Sequence, residues 1–341
     1  MYRLIVLGFA IIAAMFSGAL NLAVAKDVNL KFAHWVPATH PLHKGGWAPW
    51  AKSIEKASGG SIKISFFPAG QLGKPPDHYD LARDGIADFG WLNPGFNPGR
   101  WVIASAGTIP LLVNDGLKAS AALDEWYEKY ASVEMSDVKM CMLHNMHPGT
   151  IFTKKQIKVP QDFKGLKYRA SNSMEALFVR NNGGAIVNVP QPAIKEVLRR
   201  GVADGTFNAL NSIISWGIHK EVKYVVDMPW GSPVFSLVMN KKKYNGLSAD
   251  QRKIIDDHCS PEWSRKFITA AVEFEKKGPA KLKAAGLIFH KPSPSEYKIW
   301  KNGVIPVKKA WAKEVSGKGH NADKIYSDLL AILKKYGALL E

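Results

Sequence analysis

The clearest chemical candidate in this sequence is an arginine at the end of a short strand-like run. Arg169 closes Leu166-Lys167-Tyr168-Arg169 and stands before Ala170-Ser171-Asn172-Ser173, small polar residues suited to N-cap a following helix. A guanidinium at a strand's C-terminal end presents a planar fork of donors that holds a carboxylate through two hydrogen bonds. An isolated surface arginine or one half of a structural ion pair would give the same local pattern.

Other chemistries find little support. Ile103-Ala104-Ser105-Ala106-Gly107 lacks the first glycine of a nucleophile elbow, and no glycine-rich phosphate loop or dinucleotide fingerprint occurs. His34, His40 and His43 cluster in one stretch and His144 lies near His147, yet neither group has a carboxylate or cysteine at metal-ligand spacing. They read as pocket-lining or surface histidines. No catalytic residue, metal or cofactor is assigned. Aromatic residues are abundant instead: Trp35, Trp91, Phe96, Trp101, Phe207, Trp216 and Trp230. Any of them can be core, but Trp91, Phe96 and Trp230 stand in polar Gly-Pro-rich surroundings and fit pocket walls. Asn93, Asn208 and Ser212 complete the set of candidate contacts for a small molecule.

Two copies of one short pattern position these residues: Arg83-Asp84-Gly85-Ile86-Ala87-Asp88 and Arg199-Arg200-Gly201-Val202-Ala203-Asp204. Each follows a helix-like stretch, Asp77 to Arg83 or Ala193 to Arg200, and each glycine falls where a left-handed C-terminal cap belongs. Each leads into a short strand, then an aromatic and an asparagine, Trp91-Leu92-Asn93 or Phe207-Asn208. Loops after strand C-termini line the crevice of an open α/β sheet, so the two copies predict two lobes closing on one small molecule.

The surrounding pattern is α/β. Strands are predicted at Val28 to Ala33, Ser61 to Phe67, Val138 to Leu143, Gly165 to Ala170, Ala185 to Val189, Val202 to Asn208, Ser236 to Met239 and Leu287 to His290. Helices are predicted at Gly46 to Ala57 and Ser173 to Asn182, and almost everything after Ala249 reads as helical. A late run of helices suits a chain that crosses between lobes more than once.

Residues 1 to 25 hold one charge, Arg3, then an apolar run from Leu4, and end in Ala23-Val24-Ala25, which reads as a cleaved signal peptide with a mature start at Lys26. The formal net charge is +17. The basic residues are scattered through amphipathic segments such as Lys276 to Lys283 and Lys308 to Lys313, with no arginine-rich arm or zinc-finger spacing, so nucleic-acid binding is not expected. A dispersed lysine coat is a solvated surface that raises the local concentration of anionic solutes. The two cysteines, Cys141 in a strand-like run and Cys259 near a helix end, read as buried free thiols rather than a disulfide.

Several motifs stand in one order along the chain: Ser58-Gly59-Gly60, Phe67-Pro68-Ala69-Gly70-Gln71-Leu72-Gly73, Gly85-Ile86-Ala87-Asp88, Gly165-Leu166-Lys167-Tyr168-Arg169, and Gly201-Val202-Ala203-Asp204-Gly205 with Asn208. The ordered set closely resembles the extracytoplasmic solute-binding proteins of TRAP (tripartite, ATP-independent periplasmic) transporters, over essentially the whole mature chain. The resemblance implies a periplasmic-binding-protein-like α/β fold: two α/β lobes with a ligand cleft between them, joined by crossing strands and a long helix. The lobe limits expected are 26–146 with 236–278, and 147–235 with 279–341.

For Arg169 the resemblance implies the family's carboxylate-binding arginine, and for Asn208 a polar ligand contact in the facing loop. Many members carry a second arginine in a Gly-aromatic-Arg-x-Phe-Thr stretch, where this chain has Gly149-Thr150-Ile151-Phe152-Thr153. One guanidinium and many aromatics fit a monocarboxylate with an apolar or aromatic body better than a dicarboxylate. The implied function is a periplasmic, monomeric binding protein that passes an organic acid to a TRAP membrane permease. A secreted enzyme of the same fold acting on a carboxylate, with His34 or His147 as acid/base, and a sensor subunit are the alternatives.

Overall fold

The computed structural model describes residues 26–340; the signal peptide expected at 1–25 lies outside the described residues. The chain opens with β1 (Val28–Ala33), α1 (Ala48–Ala57), β2 (Ile62–Phe67), α2 (His78–Arg83) and β3 (Phe89–Leu92). β1 lies between β2 and β3 and runs parallel to both. Trp50, Ala51 and Ile54 recur at helical spacing on α1, which buries that stripe against the sheet.

A long helix, α3 (Gly116–Glu134), then leads into β4 (Val138–Asn145). Next come β5 (Gly149–Thr153), β6 (Lys167–Arg169), α4 (Ser173–Asn181), β7 (Ala185–Ile186), α5 (Ile194–Arg199), β8 (Gly205–Asn208), α6 (Ser212–Ser215), β9 (Tyr224–Gly231) and β10 (Val234–Asn240). The remainder is α7 (Lys241–Asn245), α8 (Ala249–Asp257), α9 (Pro261–Lys276), α10 (Gly278–Ala284), β11 (Ile288–His290), α11 (Pro294–Gly317) and α12 (Ala322–Lys335).

The strands form two sheets, in the orders β2-β1-β3-β10-β4 and β11-β9-β5-β8-β6-β7. Each contains a parallel trio, β2-β1-β3 or β7-β6-β8, flanked by an antiparallel strand, β10 or β5. The chain passes from the first sheet to the second between β4 and β5, and back between β9 and β10. α9 packs on α3 and β4 of the first half, while α10 reaches α6 of the second. α12 returns onto α3, where the Trp126 indole donates to the Ile325 carbonyl at 3.2 Å.

The paired motif has one meaning in both halves. Gly85 and Gly201 adopt φ +77° and +71°, the left-handed region in which glycine alone avoids a Cβ penalty. Asp88 donates its N–H to the Lys31 carbonyl at 2.9 Å and accepts the Lys31 N–H on its carboxylate at 2.7 Å. Asp204 does the same to Lys167, at 2.7 and 2.8 Å. The aspartate thus extends the parallel ladder at the N-terminal end of β3 or β8. The residues at the opposite end of those strands are left to face the cleft.

The cysteines correct the expectation of free thiols: Cys141 and Cys259 form a disulfide with Cα atoms 4.6 Å apart. Cys141 sits on β4, and the turn between α8 and α9 delivers Cys259 beside it. That proximity arises from a fold-back over 118 residues, which neither local sequence announces.

Candidate functional site

A cleft lies between the two halves, lined from both sheets and both crossings. Arg169 enters it from the C-terminal end of β6, which pairs in parallel with β8 through Arg169 and Thr206. The helix cap expected after it is present, with the Asn172 side chain accepting the Glu175 N–H at 3.0 Å. Arg169 is only 3 % exposed. Its guanidinium has one hydrogen bond among the described residues, Nε to the Val189 carbonyl at 3.2 Å.

Burial lowers the Arg169 pKa to about 10, and the nearby Glu175 carboxylate pulls it back up; the group stays cationic at neutral pH. Among the described residues it is the only arginine or lysine in the cleft wall. Burial raises the pKa of Glu175, opposed by hydrogen bonds from the Ser171 hydroxyl and the Ser171 N–H, the latter at 2.7 Å.

Aromatic rings line the cleft from both sheets. On the first-sheet side Trp35 stacks on Trp91 at 4.9 Å and 28°, and Trp91 on Phe235 at 4.5 Å and 12°. The Trp91 indole donates to His144 Nε2 at 3.1 Å, which locks its ring. On the second-sheet side Phe207 stacks on Trp230 at 5.7 Å and 27°. Aromatic rings on both sides of the cleft suit a ligand with an apolar or aromatic body.

Both crossings contribute: Met146, His147 and Gly149 from one, Gly231 and Pro233 from the other. Gly149 is fixed by close approach, since a Cβ there would meet the Asn208 carbonyl oxygen at 2.3 Å. Burial lowers the pKa of His40 to about 4 and depresses His147 as well, so neither supplies a second cation at neutral pH.

Of the sequence candidates, Trp35, Trp91, Arg169, Phe207, Asn208, Ser212, Trp216 and Trp230 line the cleft together. Asn93 and Phe96 do not. The Asn93 side chain accepts the Gly95 N–H at 2.8 Å and caps a turn, while Phe96 packs behind Trp35 at 5.7 Å. Asn208 is oriented by its own neighbours, its amide oxygen taking the Ala209 N–H at 2.9 Å. The Ser212 hydroxyl is committed to Glu275.

Residues 32–314 match the family described as bacterial extracellular solute-binding protein, family 7. The chain belongs to this family. A TRAP solute-binding protein from Rhodoferax ferrireducens T118, crystallised with copurified benzoate, is 27 % identical and superposes with a TM-score of 0.85 over 91 % of this chain and 98 % of that one. A marine metagenome TRAP solute-binding protein specific for aromatic acid ligands, in complex with 3-hydroxybenzoate, is 28 % identical, with a TM-score of 0.85 over 91 % and 99 %. The C4-dicarboxylate-binding periplasmic protein DctP of Rhodobacter capsulatus is 24 % identical over 91 % of this chain and 94 % of its own length.

Within this TRAP solute-binding protein, several cleft residues carry no recognisable sequence signal. Glu275 sits in an ordinary amphipathic helix, and Phe235 in a continuous apolar strand, so neither pattern marks a pocket residue. His40 and Gln191 stand in loops whose path only the fold defines. Glu175 had one cue, its place three residues after the capping Asn172, which is the capping-box position.

Proposed function

We propose that this TRAP solute-binding protein is exported, matured at Lys26, and captures as a monomer an aromatic monocarboxylate between its halves for delivery to a membrane permease. The observation that carries the reading is Arg169. It is a buried guanidinium with one backbone hydrogen bond, in a cleft whose wall among the described residues has no other arginine or lysine and carries aromatic stacks from both sheets.

The guanidinium takes the carboxylate, and the rings of Trp91, Phe235, Phe207 and Trp230 take the body. Thr150 stands where a second arginine would receive a second carboxylate, and its hydroxyl donates to the Val226 carbonyl. The protein performs no covalent step. The lobes hinge at the two crossings, near residues 146–148 and 232–233, and close over the ligand.

Native mass spectrometry of the purified protein, followed by calorimetry with benzoate and benzamide, tests the reading. Benzoate is expected to bind with one-to-one stoichiometry, to be recovered unchanged, and to bind far more tightly than the uncharged amide. Equal affinity for acid and amide overturns it.

A further inference from the structure

Buried indole N–H groups in this molecule are of two kinds, those with a protein acceptor and those without. Away from the cleft each of several buried tryptophans donates to a backbone carbonyl: Trp50 to His258 at 2.9 Å, Trp126 to Ile325 at 3.2 Å, Trp300 to Lys158 at 2.8 Å and Trp311 to Val102 at 2.8 Å. In the cleft wall Trp91 is satisfied by His144.

Trp35 and Trp230, which also line the cleft, have buried Nε1 atoms with no acceptor among the described residues. Trp47 is a third such indole, but it packs behind the wall against His34 and Trp91. An indole N–H can only donate, and a buried donor left without an acceptor is costly, so an acceptor atom brought by a ligand would relieve that cost at Trp35 and Trp230.

The two donors sit on opposite walls. Trp230 is on β9, in the same sheet as Arg169, whereas Trp35 follows β1 in the other sheet. A carboxylate held at Arg169 lies on the Trp230 side. Trp35 therefore meets the far end of the ligand, its ring fixed by stacking on Trp91 and by Phe96 behind it.

Resting on the reading that the cleft binds an aromatic carboxylate at Arg169, we propose that the ligand carries a second oxygen acceptor, such as a ring hydroxyl or carbonyl, and that Trp35 Nε1 is its donor. Trp35 is then the residue that determines specificity between oxygenated acids and their hydrocarbon analogues. A site built to hydrogen-bond a substrate oxygen discriminates strongly against the analogue that lacks it, because its own polar group is left unpaired.

The test compares 2-, 3- and 4-hydroxybenzoate with the matching methylbenzoates by calorimetry, on wild type and Trp35→Phe, which keeps an aromatic ring but has no N–H. At least one hydroxy isomer is expected to bind about ten-fold more tightly than its methyl twin, and Trp35→Phe to bring that ratio to about two-fold or less. The proposal fails if no hydroxy isomer is favoured, or if the preference persists in Trp35→Phe. Binding of benzoate and the methylbenzoates without a hydroxyl preference overturns the donor assignment and leaves the carboxylate reading standing. Equal binding of acid and amide overturns both.

Discussion

Glu275, in the last turn of α9, accepts the Ser212 hydroxyl and the Ser212 backbone N–H, the latter at 3.1 Å. It also takes the Asn211 N–H at 2.6 Å, so one carboxylate ties the helix packed on the first half to the loop that follows β8 in the second. The group is 2 % exposed, and burial raises its pKa against the pull of those donors. Glu275→Ala removes the acceptor for two backbone N–H groups at once and is expected to lower stability by about 2–4 kcal/mol. Glu275→Gln retains one amide oxygen and recovers part of the loss. Urea unfolding of both variants measures this; a midpoint for Glu275→Ala equal to that of wild type sinks the assignment.

Arg169 sets the affinity prediction. Removing a guanidinium that pairs a ligand carboxylate in a closed cleft leaves the anion without its counter-charge, a loss of roughly 2–5 kcal/mol, or about thirty-fold and more in Kd. Arg169→Lys restores charge without the planar fork and recovers only part. Calorimetry with one bound acid decides it. Binding by Arg169→Ala within about three-fold of wild type would remove Arg169 as the anchor.

The Cys141–Cys259 bond closes a loop across 118 residues and holds the start of α9 to β4. Opening it enlarges the unfolded ensemble, for an expected loss of about 2–5 kcal/mol. Unfolding midpoints with and without reductant, and of Cys141→Ser with Cys259→Ser, report the effect. Identical midpoints would show that the packing of α9 makes the bond redundant.

How much was legible in the sequence follows from which forces act locally. Gly85 and Gly201 are local helix caps, so the repeated spacing revealed the duplicated architecture, whereas the ladder contacts of Asp88 and Asp204 reach back to Lys31 and Lys167 and were not visible in it. Arg169 was legible because a strand end followed by a capping run is also local. The helix α3 gave a weak signal, since much of its buried face is Ala119, Ser120, Ala121 and Ala122, too small to mark a strong apolar stripe. Glu275 and Phe235 reach the cleft only through the crossings, and the disulfide through a distant fold-back, which no window of sequence contains.

Acid sensitivity isolates His144. It is fully buried and uncharged, accepting the Trp91 indole, and burial lowers its pKa to about 3, against about 6.5 in an unfolded chain. Between those values the unfolded chain binds a proton that the folded one refuses. Stability contributed by this group is therefore present above pH 6.5 and lost as pH falls toward 3, by up to about 1.4 kcal/mol per unit. His34, lowered to about 3 by burial first and by His43 second, acts with the same sign. Glu175 and Glu275 act oppositely, because burial raises their pKa and the folded state holds their protons more tightly as pH rises through the carboxylate range. His144→Gln keeps an amide oxygen for Trp91 but removes one titration. Its stability is expected to fall less steeply than wild type between pH 6.5 and 4, the two curves converging by about 1 kcal/mol per unit, while above pH 7 their separation stays constant. Unfolding free energies across that range measure the slopes, and parallel curves through the acid window would mean that His144 does not resist protonation in the folded protein.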